Sequence, residues 1–274
     1  MTIQCTAGEE SRGERIDKYL SEQYPDLSRS FIQKLLKSEA VTIKNRPVKS
    51  NYKLSGGEEI TLCIPDAVEP EILAEPMDLD IIYEDRDIIL INKPKGMVVH
   101  PAAGHYSGTL VNGLMDHCRD ELSGINGVLR PGIVHRIDMD TTGVIIACKN
   151  DFAHNHIAEQ LKEHSISRRY IAIVHGNLKE DEGTVNAPIG RHPTDRKKMA
   201  VNYKNGKEAV THYHVLSRYG NYTYIECRLE TGRTHQIRVH MASLGHPLLG
   251  DTVYGSSKNP YHLQGQALHA MILG

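Results

Sequence analysis

The feature that most constrains this sequence is a succession of short apolar strands with little helix between them. From residue 79 onward, six segments combine β-branched, aromatic and other apolar residues in strand-like runs, namely 79–83, 87–92, 143–149, 169–176, 209–217 and 222–229. The last two are separated only by the short turn 218–221. Parallel neighbours need a longer crossover, so the pattern favours an α+β fold with a mixed, mostly antiparallel sheet over a Rossmann-like sheet.

Helical spacing is restricted to a few places in this half of the chain, near 109–117, 152–164 and 234–244. The length of 274 residues favours two domains, because one domain typically has roughly 100–200 residues. No stretch approaches the roughly 18 uncharged apolar residues of a membrane span, and the N-terminus lacks the apolar segment of a secretory signal. We therefore expect no membrane association and a cytoplasmic location.

Residues 12–65 have the pattern of two short helices followed by a small sheet. The helical apolar positions are Ile16, Tyr19 and Leu20 in the first helix and Phe31, Ile32, Leu35 and Leu36 in the second. Ser28 or Ser30 is placed to cap the second helix. Strands are expected at 41–45 and 58–64, and the proline-rich, acidic stretch 66–77 is expected to be a linker.

The net charge of −2 conceals three segregated blocks. Residues 12–53 hold ten Lys or Arg against five acids, and residues 191–207 hold six, including Arg196 and Lys197, against one. Residues 66–92 reverse the sign, with nine acids against one arginine. Two basic patches are consistent either with phosphate contacts or with solvated faces.

The first segment, RIDKYLSEQYPDLSRSFIQKLLKSEAVTIKNRPV, resembles the S4 RNA-binding domain. The resemblance implies that residues 12–65 form a small α/β domain whose helices present basic side chains to structured RNA. Those side chains are Arg15, Lys18, Arg29, Lys34 and Lys37. The glycine usual after the second helix is replaced by Ser38 and Glu39.

Polar residues cluster at three points of the strand-rich region, at 131–143, 168–170 and 230–240. The first cluster precedes an apolar strand, so its charged side chains would lie at the end of the expected sheet. The third cluster follows a strand and begins a helix. Each has an ordinary explanation by itself. Asp138 could cap a loop, Arg233 could form a surface ion pair, and Tyr170 could be a half-buried strand residue.

Considered together, the clusters resemble the motifs of the RluA-type pseudouridine synthase family. The matching segments are INKPKGMVVHP, GIVHRIDMDTTGVIIACK, RRYIAIVHG and ETGRTHQIRVHMASLGHPLLGD, in the family's order over about 81–270. With the S4-like domain in front, the chain resembles the RluD branch, whose members isomerise uridines in large-subunit ribosomal RNA. Residues 78–274 would then be the catalytic domain. Thr142 replaces the family's common serine, and the chain stops at ALHAMILG where relatives continue, so we expect a truncated C-terminal end.

The resemblance assigns roles to four residues of the catalytic domain. Asp138 matches the aspartate of the family's HRLD motif and would act as a nucleophile at C1′ or as a base at C2′. Arg233 would pair with this carboxylate and keep it ionised. Tyr170 would stack on the uracil and relay the C5 proton, and Arg136 would fill the gap left by the extruded base. Asp140 competes with Asp138, because residues two apart in extended chain point the same way.

Isomerisation of uridine needs no oxidant and no transferred group, so no cofactor is expected. No metal site is expected either, since neither the dispersed cysteines nor the histidine pairs have further ligands at recognisable spacing. The predicted partner is RNA of the large ribosomal subunit, bound by a monomer. The alternative is a non-catalytic RNA-binding or ribosome-assembly factor on the same fold. A nucleoside hydrolase is more remote, because it would need a second carboxylate to activate water.

Overall fold

The protein is described by a computed structural model that covers residues 2–25, 27–64, 72–102, 104–119, 121–125, 130–195, 198–256 and 261–274. The chain divides into two compact units, Met1–Pro70 and Glu71–Gly274. Much of the expected linker, together with Arg196 and Lys197 of the third charge block, lies outside the described residues.

The first unit packs two helices on a four-stranded antiparallel sheet of order β1-β4-β2-β3. Its elements are β1 (Thr2–Ala7), α1 (Ile16–Gln23), α2 (Arg29–Lys37), β2 (Val41–Ile43), β3 (Arg46–Pro47) and β4 (Glu58–Cys63). The apolar positions of both helices are buried in one core with the inward-facing residues of β2 and β4. Strand β1 precedes the expected domain start at residue 12 and pairs with β4 along its whole length.

Both ends of α2 follow from local chemistry. The Ser28 hydroxyl accepts a hydrogen bond from the Phe31 amide, which makes Ser28 the cap. At the other end Glu39 adopts φ 61°, the left-handed conformation that glycine usually supplies. Its amide donates to Leu36, and that of Ala40 donates to Leu35, so the helix closes in the ordinary way without the glycine.

Asp17 is the electrostatic centre of the first unit. Its fully buried carboxylate accepts hydrogen bonds from Gln33 at 2.7 Å, from Arg15 at 3.0 Å and from Arg29 at 3.1 Å. Burial opposes its ionisation, but these donors outweigh that effect and hold the pKa of Asp17 at about 2. One carboxylate therefore ties α1 to α2.

We expect the protection of the α1 and α2 amides against hydrogen exchange to fall as the pH is lowered from about 4 to about 2. A carboxyl whose pKa is depressed on folding contributes stability above its unfolded pKa and loses it as the pH falls through the folded one. The depression of Asp17 corresponds to about 2 kcal/mol. Exchange measured on the full chain at several pH values tests this. Asp17→Asn should be less protected at pH 5 and should lack this acid step, and equal pH dependence in both proteins would contradict the assignment.

The second unit is built on an eight-stranded sheet of order β5-β6-β7-β14-β8-β13-β12-β9, with a separate β10-β11 hairpin. Its elements are β5 (Ile81–Glu84), β6 (Ile88–Lys93), α3 (Leu110–Cys118), β7 (Thr142–Cys148), α4 (Asp151–Lys162), β8 (Arg168–His175), β9 (Glu182–Asn186), β10 (Ile189–Arg191), β11 (Met199–Val201), β12 (Val210–Tyr219), β13 (Tyr222–Leu229), α5 (Gln236–Ser243) and β14 (Leu268–Leu273). In the part of the chain described here, none of these helices has the length and apolar character needed to cross a bilayer.

The expected mixed, mostly antiparallel sheet is confirmed. Among the strand pairs of the described residues, β14 and β7 are parallel and the others are antiparallel. Strand β14 lies between β7 and β8 at the centre of the sheet. Gly143 makes this position possible, because a Cβ there would lie 2.2 Å from the carbonyl oxygen of Ala270.

Residues 72–77 were expected to belong to the linker, but they pack on the second unit. Ile72 is buried in its core. The carbonyl of Leu73 accepts a hydrogen bond from the Asn112 side chain, and Glu75 accepts one from the Gly108 amide. An apolar residue and two fixed hydrogen bonds make this stretch part of the unit that follows it.

Candidate active site

The register of the central strands brings the sequence motifs together. Thr142 at the start of β7 lies beside His269 of β14, and Ala270 of the same strand lies beside Tyr170 of β8. The loop that carries Asp138 runs directly into β7 and therefore leaves the sheet close to Tyr170. Strand β13 runs antiparallel to β8, so its end leads the 230–235 loop to the same place.

A cavity of about 460 Å³ opens where these segments meet. All four residues expected from the catalytic-domain motifs line it, namely Arg136, Asp138, Tyr170 and Arg233. Arg168 and Arg238 line it as well. The volume is within the range of small-molecule sites.

Asp138 is paired with Arg238 of α5. Nη1 of Arg238 donates to Oδ2 of Asp138 at 2.9 Å. The same guanidinium donates from Nε and Nη2 to the carboxylate of Asp251, at 2.7 and 3.0 Å. Burial disfavours the charged form of Arg238, yet the two carboxylates raise its pKa above the ordinary value. The guanidinium is consequently a fixed positive charge against Asp138.

The expected pairing of Arg233 with Asp138 is wrong. Nε of Arg233 donates to the backbone carbonyl of Glu208 at 2.8 Å. Arg233 lies in the loop before α5, whereas Arg238 projects from the helix itself and reaches the carboxylate. Arg233 still lines the cavity, but it holds no ion pair with Asp138.

His235 lies near the second oxygen of Asp138 and contacts Tyr254. The Tyr254 hydroxyl accepts a hydrogen bond from the Met199 amide and lies 2.7 Å from Nδ1 of His235. Nε2 lies 3.8 Å from Oδ1 of Asp138, and burial lowers the pKa of His235. The ring of Tyr254 also packs on the Arg238 guanidinium, 5.1 Å from its centre.

Tyr170 faces the cavity from β8. Burial raises its pKa to about 12, so the phenol is protonated at neutral pH. Arg168, two residues earlier on the same face of β8, donates to the carbonyl of Glu230 at 2.8 Å. A neutral aromatic ring, a carboxylate and several guanidinium groups thus share one pocket.

Lys93 supports the loop that carries Asp138. This fully buried lysine donates to the carbonyls of Pro94, Met97 and Met139 at 2.8 to 2.9 Å. Burial lowers its pKa to about 8, although the neighbouring carboxylates of Asp140 and Asp138 oppose this change. Three hydrogen bonds from one side chain join the 94–97 turn to the residue next to Asp138.

A second cavity of about 350 Å³ lies beside the first and is lined by His100, Arg136, Asp138 and Asp140. Asp140 reaches this smaller cavity but not the larger one. Asp138 lines both, and Asp138 is the carboxylate that pairs with Arg238. The geometry favours Asp138 over its competitor.

The five basic residues predicted to face RNA in the first unit differ in what they contact. Arg15 and Arg29 are about half exposed and share the carboxylate of Asp17. Lys18 pairs with Glu14 at 2.8 Å and Glu22 at 3.4 Å. Lys34 and Lys37 are exposed on α2, and no acid of the described residues lies within ion-pair distance of either. Of the five basic residues, these two lysines have the charge that neighbouring acids offset least.

Sequence reasoning missed Arg238, Asp251, Tyr254 and Lys93. The sequence carries a signal for Arg238, because this arginine stands between the apolar residues Ile237 and Val239. In the structure, residues 236–241 of this helix are all buried. A buried cation needs a buried acid. Asp251, after the apolar pair 248–249, is that acid.

Family models match both units of the chain. A model of RNA pseudouridylate synthases matches residues 87–243, and an S4 domain model matches residues 14–60. The first match covers more than half of the chain and includes Asp138, Tyr170, Arg233 and Arg238.

Individual relatives agree with these models. An uncharacterized RNA pseudouridine synthase of Bacillus subtilis is 54% identical over 99% of this chain and 89% of its own length. A ribosomal large subunit pseudouridine synthase D of Zymomonas mobilis is 47% identical over 100% of this chain and 89% of its own length. Among solved structures, human RNA pseudouridylate synthase domain containing 1 superposes with a TM-score of 0.60 at 26% identity, covering 73% of this chain and 80% of that one.

Proposed function

We propose that this chain, which belongs to the RNA pseudouridylate synthase family, converts uridines of large-subunit ribosomal RNA to pseudouridine with Asp138 acting at the sugar. The observation that supports this most directly is the Asp138 carboxylate, held 2.9 Å from Arg238 in a cavity shared with Tyr170. Relatives of 43 to 47% identity are named ribosomal large subunit pseudouridine synthase D, which supports the substrate.

The reaction breaks the bond between C1′ and N1, turns the uracil, and joins C1′ to C5. Arg238 occupies Oδ2 of Asp138, and no donor of the described residues lies within hydrogen-bond distance of Oδ1. Oδ1 is the oxygen free to attack C1′ or to accept the C2′ proton. His235, 3.8 Å away, is near enough to orient this oxygen without neutralising it.

Tyr170 stacks its ring on the uracil. When C1′ joins C5, the phenol oxygen accepts the C5 proton as its own proton passes to solvent, and N1, freed from C1′, takes a proton from solvent. Arg136 is exposed and lines both cavities, which suits a side chain that enters the RNA stack when the target base leaves it. The protein acts as a monomer in the cytoplasm, where ribosomal RNA is its substrate.

Comparison of the pseudouridine maps of ribosomal RNA, with and without this protein, tests the proposal. A uridine of the large-subunit RNA that is modified only in its presence, and again when purified protein is added, supports it. Identical maps would favour the alternative, a non-catalytic RNA-binding or assembly factor. Modification found only in another RNA would contradict the proposed substrate but would still agree with the proposed pseudouridine synthase activity.

We expect the α2 lysines to contribute directly to RNA affinity. Lys34→Gln combined with Lys37→Gln should weaken binding to a large-subunit RNA fragment and reduce the slope of log K against log salt by about 2, since each phosphate contact in a duplex contributes about 0.9. Titrations at several salt concentrations measure this slope. Arg86→Gln is the control, because Arg86 is 92% exposed within the acidic block of the second unit. An unchanged slope in the double variant would show that α2 does not face RNA.

A further inference from the structure

The lining of the catalytic cavity includes cationic side chains that the proposed mechanism does not use, namely Lys162, Arg168 and Arg233. The same lining includes the carboxylate of Asp138, whose charge Arg238 already offsets. Within the described residues, no carboxylate lies at ion-pair distance from Arg168 or Arg233.

Among these cations, Arg168 has the most unusual environment. The residue is 8% exposed, its Nη2 donates to the carbonyl of Glu230, and its Nε is buried without a hydrogen-bond partner. Burial lowers the pKa of Arg168, and the nearby charge of Arg233 acts in the same direction. A buried guanidinium with one neutral partner is costly, so the fold retains a charge that it does not itself neutralise.

The chain leaves room for this guanidinium. Gly232 lies over it, and a Cβ at that position would be 2.6 Å from Nη1 of Arg168. Arg233, the next residue, commits its Nε to the Glu208 carbonyl, and the described residues place no acceptor at its terminal nitrogens. Lys162, at the end of α4, lines the same cavity and is exposed to solvent. Three long cations therefore line a pocket proposed to hold a nucleotide.

We propose that Arg168, Arg233 and Lys162 form a phosphate subsite that binds a phosphodiester of the RNA strand next to the target uridine. This inference rests on the proposed function, because it takes the cavity to enclose a uridine nucleotide. A phosphodiester offers a negative charge and two acceptor oxygens, the geometry that a guanidinium recognises best. The other negative charge available in such a substrate is that of the detached uracil, and binding measurements separate the two.

The test is the affinity of the full chain for a short oligouridylate at several salt concentrations. Every protein that is compared also carries Lys34→Gln and Lys37→Gln, so that the measured affinity depends more on the cavity than on the first unit. Arg168→Met should bind about tenfold more weakly, as expected for a lost hydrogen bond to a charged group. Its slope of log K against log salt should be smaller by about 0.7, the value for one phosphate of a single strand. Arg168→Lys, which keeps the charge, should retain the slope.

Arg169→Met is the matched control. Arg169 is the next residue of β8, points to the opposite face of the sheet, and lies 3.7 Å from Glu226. Its removal should leave affinity and slope unchanged. Gly232→Ala, which crowds the Arg168 guanidinium, should weaken binding, whereas Gly124→Ala, where a Cβ meets nothing within 4 Å, should not.

Three results would overturn the subsite. If Arg168→Met binds like its parent but turns uridine over more slowly, Arg168 acts on the detached uracil. If Arg168→Met and Arg168→Lys both bind weakly and both melt at a lower temperature than their parent, Arg168 is structural and acts by holding the Glu230 carbonyl. If Arg169→Met reduces the salt slope as much as Arg168→Met does, the effect is not local. Because binding to oligouridylate requires no turnover, the second and third results stand even where ribosomal RNA maps show no modification.

Discussion

Replacing Asp138 with asparagine should lower the rate of uridine isomerisation by at least about a thousandfold while changing RNA affinity little. The amide has nearly the volume of the carboxylate and keeps an oxygen to accept the bond from Arg238. It cannot ionise, so it can neither attack C1′ nor accept the C2′ proton. Release of tritium from C5-labelled uridine in a ribosomal RNA fragment measures the rate, and filter binding measures the affinity.

Asp140→Asn is the control for this experiment. Asp140 lies two residues away, lines the smaller cavity, and is one of the charges near Lys93. We expect this variant to keep most of its activity. If Asp140→Asn were the inactive protein and Asp138→Asn the active one, the role of the carboxylate would pass to Asp140.

The family resemblance was needed to predict that Asp138, Tyr170 and Arg136 belong to one site, and all three line one cavity of the structure. Each belongs to a motif attached to an apolar strand, and β7 and β8 are long enough for their pattern to be unambiguous. Once the two strands belong to one sheet, the residues at their starts are brought close together. Family resemblance supplied the roles, which the apolar pattern alone does not indicate.

The partner of Asp138 could not be assigned from spacing. Arg233 and Arg238 lie in the same motif, and the choice depends on the residue at which α5 begins. His235 takes φ 58°, a left-handed conformation that is uncommon outside glycine, and the helix starts only at Gln236. This turn leaves Arg233 in the loop and places Arg238 over Asp138.

Strands β9 and β14 were missed for a different reason. Strand β9, with the sequence EGTVN, is short and polar at its start, so its pairing with β12 depends on a neighbour already in place. Strand β14 pairs with β7 and β8, which precede it by about 100 residues or more. Local pattern does not reveal such distant pairing, and the close approach of β14 to Gly143 is visible only in three dimensions.

Replacing Arg238 with alanine should lower the isomerisation rate by about 10² to 10³, which corresponds to about 3 to 4 kcal/mol of lost transition-state stabilisation, because Asp138 loses the cation that holds it in place. Arg238→Lys should restore only part of the rate, since one ammonium cannot serve both Asp138 and Asp251 with the geometry of a planar guanidinium. Rates at saturating concentrations of one RNA fragment test both variants.

Arg233→Ala separates this role from that of the neighbouring arginine. Arg233 donates to the Glu208 carbonyl and not to Asp138, so its removal should weaken RNA binding and should lower the rate at saturating RNA much less than Arg238→Ala does. Asp251→Asn provides a second check, because it loosens the Arg238 guanidinium without removing its charge from Asp138. That variant should also lose less activity than Arg238→Ala. A larger loss of rate in Arg233→Ala than in Arg238→Ala would return the pairing to the residue that the sequence first indicated.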